Sequence, residues 1–320
     1  MKKIIKLLLA LLLFGKVLSG IAQENIHKYR FEHITVNDGL PHSDANCIVS
    51  DSTGYIWIGT NNGVSKYDGY SLKNYDLPVN PHNGLPSNRV VAMHLDANKR
   101  LWVASGSAGL SFWDKYHDKF INVAEREGNG VDEKALEKLR VSNVLSISSD
   151  SFGRVWVGTR TMGLFMLEFK NELLVSIRQI AVHGTTQYGV ASMVRERDGS
   201  IWIGTISHGL WHLAPKQSMP VPTLFTNHKI SALWVDNFDN LWIGTQFELF
   251  FANKQEKRNR VFHTTLIQQF SEIGSVFVDS FQHLWVGTNH GLYYWEKIPT
   301  STEPIYLTAW KNTMQRFLPT

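Results

Sequence analysis

One pattern recurs six times and narrows the folds open to this chain: a tryptophan between two aliphatic residues, followed by two small ones. The copies are Ile56-Trp57-Ile58-Gly59-Thr60, Leu101-Trp102-Val103-Ala104-Ser105, Val155-Trp156-Val157-Gly158-Thr159, Ile201-Trp202-Ile203-Gly204-Thr205, Leu241-Trp242-Ile243-Gly244-Thr245 and Leu284-Trp285-Val286-Gly287-Thr288. Successive copies lie roughly 40 to 54 residues apart, the spacing of a repeat architecture. The surroundings repeat as well. An acid precedes each tryptophan by six positions: Asp51, Asp96, Asp150, Glu196, Asp236 and Asp279. In three copies a glycine (Gly54, Gly153, Gly199) stands midway between them. After the motif comes a short polar stretch, then usually glycine and an aliphatic residue, as in Gly63-Val64, Gly109-Leu110, Gly163-Leu164, Gly209-Leu210 and Gly291-Leu292.

Asp-x-x-Gly is turn chemistry: the carboxylate bonds the turn backbone and glycine takes the left-handed position. The apolar stretch before each acid, such as Ala45 to Ser50 or Val144 to Ser148, reads as one strand and the tryptophan segment as the next. That segment is apolar on both faces, which suits a sheet sandwiched between two other sheets. The polar stretch and glycine form a second hairpin into a third strand, and a looser fourth follows, for example Ser71 to Leu77. A helical repeat is excluded because no 3.6-residue periodicity runs through the units; one helix is expected over Asp132 to Arg140. The expected fold is all-β, a β-propeller of about six four-stranded blades, or an incomplete ring of seven, with the tryptophans packed between blades. Ring closure by Tyr29 to Thr35 as a strand of the last blade is one expectation. The segment Ile305 to Thr308 is expected either as that blade's outer strand or as the start of a seventh blade. An unclosed ring exposes two blade faces and so favours dimerisation.

Residues 1–22 have the form of a cleaved signal peptide. Lys2, Lys3 and Lys6 precede the apolar run Leu7 to Phe14, and Gly20 and Ala22 offer small residues for cleavage. The propeller then occupies 23–320, and the expected location is the periplasm. The chain has 32 basic and 28 acidic residues, and four of the lysines are in the leader, so 28 of each remain. A sequence pI near 9.0 thus reflects the leader and gives no support to a nucleic-acid partner. The single cysteine, Cys47, excludes an intrachain disulfide and a cysteine metal cluster. The histidines are scattered without metal-ligand spacing, and neither a metal nor a cofactor is expected.

The repeat resembles the two-component regulator propeller repeat of periplasmic sensor regions in hybrid two-component systems. The opening Phe31-Glu32-His33-Ile34-Thr35, then Asn37-Asp38-Gly39-Leu40-Pro41, is similar to the way those sensors begin, and Gly84-Leu85-Pro86-Ser87-Asn88 repeats it one unit later. The resemblance implies a sensing module that reports an external ligand, often a carbohydrate, to a membrane-bound histidine kinase. This sequence shows no kinase or receiver motif and no membrane helix after the propeller, so the expectation is a truncated or stand-alone sensor region.

The regular tryptophans, glycines and acids serve architecture, so a site belongs in positions that differ between blades. The hairpins between second and third strands carry Asn61, Asn62, Arg160, His208, Gln246, Glu248, Asn289 and His290, and the loops leading into the innermost strands add His42, Ser43, Asn88, Arg89, Asn143 and Tyr188. Amides, hydroxyls, an arginine and aromatic rings suit a polar ligand such as an oligosaccharide. Glu248 replaces the usual glycine, so either the turn type differs or its side chain has a role. The rival readings are a protein-interaction scaffold and, more remotely, a propeller lyase using His208 or His290. No enzymatic activity is expected.

Overall fold

The computed structural model describes residues 32–75, 84–106, 109–182, 184–259, 263–264, 272–295 and 308–309; the leader lies outside them. Six antiparallel four-stranded sheets are arranged in a ring as the blades of a propeller. Blade 1 is built of Ala45–Ser50, Ile56–Thr60, Gly63–Tyr67 and Leu72–Tyr75, running outward in sequence order. The other five sheets repeat that order. Residues from all six innermost strands, among them Cys47, Ala92, Ser146, Ser192, Ala232 and Ser275, line a central cavity of about 280 Å³. Burial pushes the Cys47 thiol up to about 12, so it stays protonated there.

The expected turn chemistry is present, with an addition. One carboxylate oxygen of Asp51 accepts from the backbone N–H of Thr53 (2.9 Å) and Tyr55 (3.1 Å), and Gly54 sits at φ 94°. The other oxygen accepts from the Trp57 indole N–H at 2.8 Å. Trp102, Trp156, Trp242 and Trp285 donate in the same way to Asp96, Asp150, Asp236 and Asp279, at 2.9 to 3.3 Å. Six residues is thus the spacing at which one acid ties the turn and the next strand's indole together. Burial raises the Asp51 carboxyl, but these hydrogen bonds outweigh it and hold the group below its ordinary value.

The tryptophans pack between blades as expected: the Trp57 ring meets Trp113 and Phe120 of blade 2 edge-on, with centroids 5.1 and 6.1 Å away. The motif glycine serves the same seam. A Cβ on Gly59, Gly158, Gly204 or Gly244 falls 2.5 to 2.7 Å from Val90, Val190, Ile230 or Ile273, each the first residue of the next blade's innermost strand. On Gly287 it meets only Ser275 of its own blade. Gly204→Ala is therefore expected to cost about 1–3 kcal/mol by overpacking, and Gly287→Ala clearly less. Urea unfolding midpoints of the two variants check this, and equal losses would contradict the assignment.

Blade 6 and blade 1 do not form a seam like the others. Neighbouring innermost strands lie side by side from blade 1 through blade 6, but no comparable contact joins Ala45–Ser50 to Ile273–Val278 among the described residues. Ile48 is 65% exposed and Ile56 38%, whereas the counterparts of Ile56, such as Leu101, Val155 and Leu241, are fully buried. On the other side Phe277 is 46% and Leu292 37% exposed. The described residues hold no seventh sheet. The tail supplies the outer strand of blade 6, where Thr308 and Ala309 pair with Tyr294 and Tyr293. Of the expected closing strand Tyr29 to Thr35, the first three residues lie outside the described set. The rest is not a strand: Thr35 caps a short 3-10 turn, Val36–Asp38, because its hydroxyl and the Asp38 carboxylate form a reciprocal capping box.

The expected helix forms over Glu133–Arg140, capped by Asp132, which accepts from the N–H of Lys134 and Ala135. Its apolar face (Ala135, Leu136, Leu139) joins the core between blades 2 and 3. A second short helix, Lys254–Asn259, follows the third strand of blade 5.

Candidate ligand-binding rim

The hairpins between second and third strands emerge at one end of the ring, together with the loops leading into the innermost strands. A threonine staples the hairpin in five of the six blades; blade 2 has Ser105 in its place. The hydroxyls of Thr60, Thr159, Thr205 and Thr288 donate to the carbonyls of Gly63, Gly163, Gly209 and Gly291 at 2.7 to 3.0 Å and accept one backbone N–H within the loop. In blade 5 Thr245 makes the same pair with the carbonyl and N–H of Glu248. Glu248 is not among the residues with positive φ, unlike the glycines at this place, so the turn differs while the staple is kept. Further backbone bonds anchor the hairpins to the leading loops, as from Asn61 to Asp44, Arg160 to Asn143 and Gly163 to Tyr188. Most hairpin side chains are exposed, although Met162 packs against the core between blades 2 and 3.

Amides gather where blades 1 and 2 meet. Asn46 donates to Asn61 (2.9 Å) and to the Val90 carbonyl (2.8 Å), Asn61 donates to Asp44 (2.8 Å), and Asn88 donates to Asn62 (2.9 Å). Across the ring, Lys229 of blade 5 pairs with Glu272, which also accepts from Asn289 of blade 6 at 3.4 Å. The lysine holds the Glu272 carboxyl below its ordinary range. Asp44 directly follows His42 and Ser43, Lys229 and Glu272 hold the matching place in blades 5 and 6, and Asn46 is the second residue of the innermost strand of blade 1. Extending the leading loops by a few residues in every blade finds all four.

The remaining candidates are placed singly. Arg89, Arg160, Gln246 and His290 are exposed. His208 is exposed, with Nδ1 3.0 Å from the Ser207 hydroxyl. His208 and His290 stand on hairpins of different blades. Tyr188 is 3% exposed, and its hydroxyl donates to the Ile180 carbonyl at 2.7 Å in the core between blades 3 and 4. Glycine at 163 leaves room for the ring, since a Cβ there would lie 2.8 Å from it. No cluster of three or more potential metal ligands occurs among the described residues.

A family profile for the two component regulator propeller matches residues 39–62, 84–107 and 138–161. Each match ends in the rim hairpin that follows a tryptophan strand. Three of the six repeats thus match the two component regulator propeller. The chain is similar in fold to the extracellular domain of a hybrid two component system from B. thetaiotaomicron, at 20% identity and TM-score 0.64, covering 85% of this chain and 35% of that one. The chain thus spans about a third of that solved domain. PorZ, a bacterial surface component of the type-IX secretion system of Porphyromonas gingivalis, matches at 15% identity and TM-score 0.60 over 79% of this chain and 38% of that one. Virginiamycin B lyase from Staphylococcus aureus matches at 13% identity and TM-score 0.61 over 84% of this chain and 85% of that one. None of the curated proteins compared with the chain matches it in sequence. At these identities the structural likenesses speak for the propeller fold. Among the described residues no helix is long and apolar enough to cross a membrane.

Proposed function

We propose that this propeller is an exported, periplasmic sensor module that binds a polar ligand, an oligosaccharide, on the rim of the second-to-third-strand hairpins. The supporting observation is the pair of polar clusters there, Asn46/Asn61/Asn62/Asn88 and Lys229/Glu272/Asn289. Amides donate and accept in fixed directions, as the vicinal hydroxyls of a sugar require. The regulator repeats and the basic, apolar leader sequence support the assignment to signalling and export. A module of this kind acts through a membrane-bound kinase, which is its proposed partner.

The test is a thermal-shift screen of the chain against oligosaccharides. A bound glycan at about a hundredfold excess over Kd raises the unfolding midpoint by on the order of 5 °C. Asn88→Ala or Asn289→Ala then reduces the shift while leaving the midpoint of the free protein nearly unchanged. A panel of glycans that moves neither the parent nor the variants overturns the proposal.

A further inference from the structure

Because strands alternate in direction, the turns joining first to second and third to fourth strands emerge together, at the end of the ring opposite the rim. Five of these turns share one device. Asp68, Asp114, Asp150, Asp236 and Asp279 each accept the backbone N–H of an aromatic residue two positions on, at 2.8 to 3.0 Å. The aromatics are Tyr70, Tyr116, Phe152, Phe238 and Phe281, exposed by 98, 84, 54, 66 and 78%. No other described aromatic is exposed as far; the next, Phe247 at 51%, is on the rim. Five blades thus hold one ring each on a hydrogen-bonded turn and point it into solvent on the same face.

Cations accompany them. The Lys115 ammonium is 5.1 Å from the Tyr116 ring and the Arg154 guanidinium 5.6 Å from the Phe152 ring. Lys99 and Lys216 stand exposed on turns of this end, and Lys170 at the end of the strand that leads into one. Three of the five anchoring carboxylates, Asp114, Asp150 and Asp236, are buried. Asp68, Asp118, Glu172 and Asp198 are exposed at this end, but with Lys73, Arg197 and Lys254 beside the lysines already named the exposed cations outnumber them. The aromatics are single tips distributed around a ring with polar turns between them. A protein interface needs a continuous apolar centre, which this pattern lacks. A lipid headgroup layer accepts separate aromatic tips at one depth, and anionic headgroups complement the cations.

We infer that the end of the propeller opposite the rim docks on an anionic membrane surface, with the aromatic tips seated among the headgroups. The inference is independent of the ligand reading, since it concerns the other end of the ring. Flotation of the full chain with phosphatidylcholine vesicles, with and without about one-third phosphatidylglycerol, tests it. Binding is expected to favour the anionic vesicles, to weaken in about 0.5 M salt, and to fall at least about tenfold in the triple variant Phe152→Ser, Phe238→Ser, Phe281→Ser. Phe247→Ser is expected to bind like the parent. All variants carry the same apolar leader, so differences between them report the face alone, and their unfolding midpoints check that each is folded. Equal flotation of parent and triple variant, or no preference for anionic vesicles, overturns the inference. So does loss, in the triple variant, of a self-association that the parent shows without lipid, because the face is then a protein interface.

Discussion

Trp156→Ala should lower the stability of the propeller by about 3–5 kcal/mol, among the largest losses open to a single substitution here. The indole is fully buried between blades 3 and 4, against Leu164, Val190, Ile201 and Trp211. Its N–H donates to Asp150 at 3.1 Å, and that carboxylate is itself buried and bonded to Arg154. Truncation leaves a cavity at a seam that two rigid sheets cannot close, and it removes one of the donors that hold a buried charge. Trp156→Phe keeps most of the volume and loses the donor, so it should cost roughly 1–2 kcal/mol. The equivalent Trp285→Ala should cost roughly 2 kcal/mol, because Trp285 is only partly buried on the blade 6 face that no described blade covers. Chemical unfolding of the three variants orders them, and equal losses for Trp156→Ala and Trp285→Ala would contradict the difference between the seams.

Lys257→Met is the second large effect, expected at about 3–5 kcal/mol. In blade 4 the repeated acid is Glu196, one methylene longer than the aspartates elsewhere. Its carboxylate accepts from the Ser200 hydroxyl at 2.9 Å and is ion-paired with Lys257 of the short helix in blade 5. Lys257 is 7% and Glu196 9% exposed, and Asp239 Oδ1 is 3.7 Å from the same ammonium. Removing the cation strands the buried Glu196 carboxylate, while Asp239 keeps Lys254 at 3.5 Å. Removing both charges of the main pair, in Lys257→Met with Glu196→Gln, should recover most of the loss, since a buried ion pair contributes little net stability beyond the apolar contacts that can replace it. A loss below about 1 kcal/mol in the single variant, or no recovery in the double, would show that the pair is not desolvated as the structure has it.

Much of the architecture was legible because a repeat averages its own noise. The tryptophan motif, the acid six residues before it and the glycine of the turn recur often enough to mark strands, turns and seams. The turn is kept even where glycine is absent: Lys99, Asp239 and Gln282 take φ of 61 to 67° in its place. The candidate site was legible only as a location. That hairpin residues such as Asn62 and Asn289 lie at one end follows from strand order. That Asn88 reaches Asn62, or that Lys229 and Glu272 pair across two blades, depends on residues more than twenty positions apart. Tyr188 shows the same limit from the other side, since its position before a strand suited a rim residue while packing turned its ring inward.

The repeat unit is written locally in the chain, because hydrogen-bonded turns and alternating strands depend on neighbours along it. The acid and tryptophan six residues apart belong to that unit, although their direct bond became visible only in the fold. How the units meet is a property of the fold: which seams bury their aliphatic faces, which one leaves Ile48 and Phe277 in solvent, and that Glu196 is answered by a lysine 61 positions away. Such contacts are set by the angle and distance between sheets, and no local pattern in the chain encodes them.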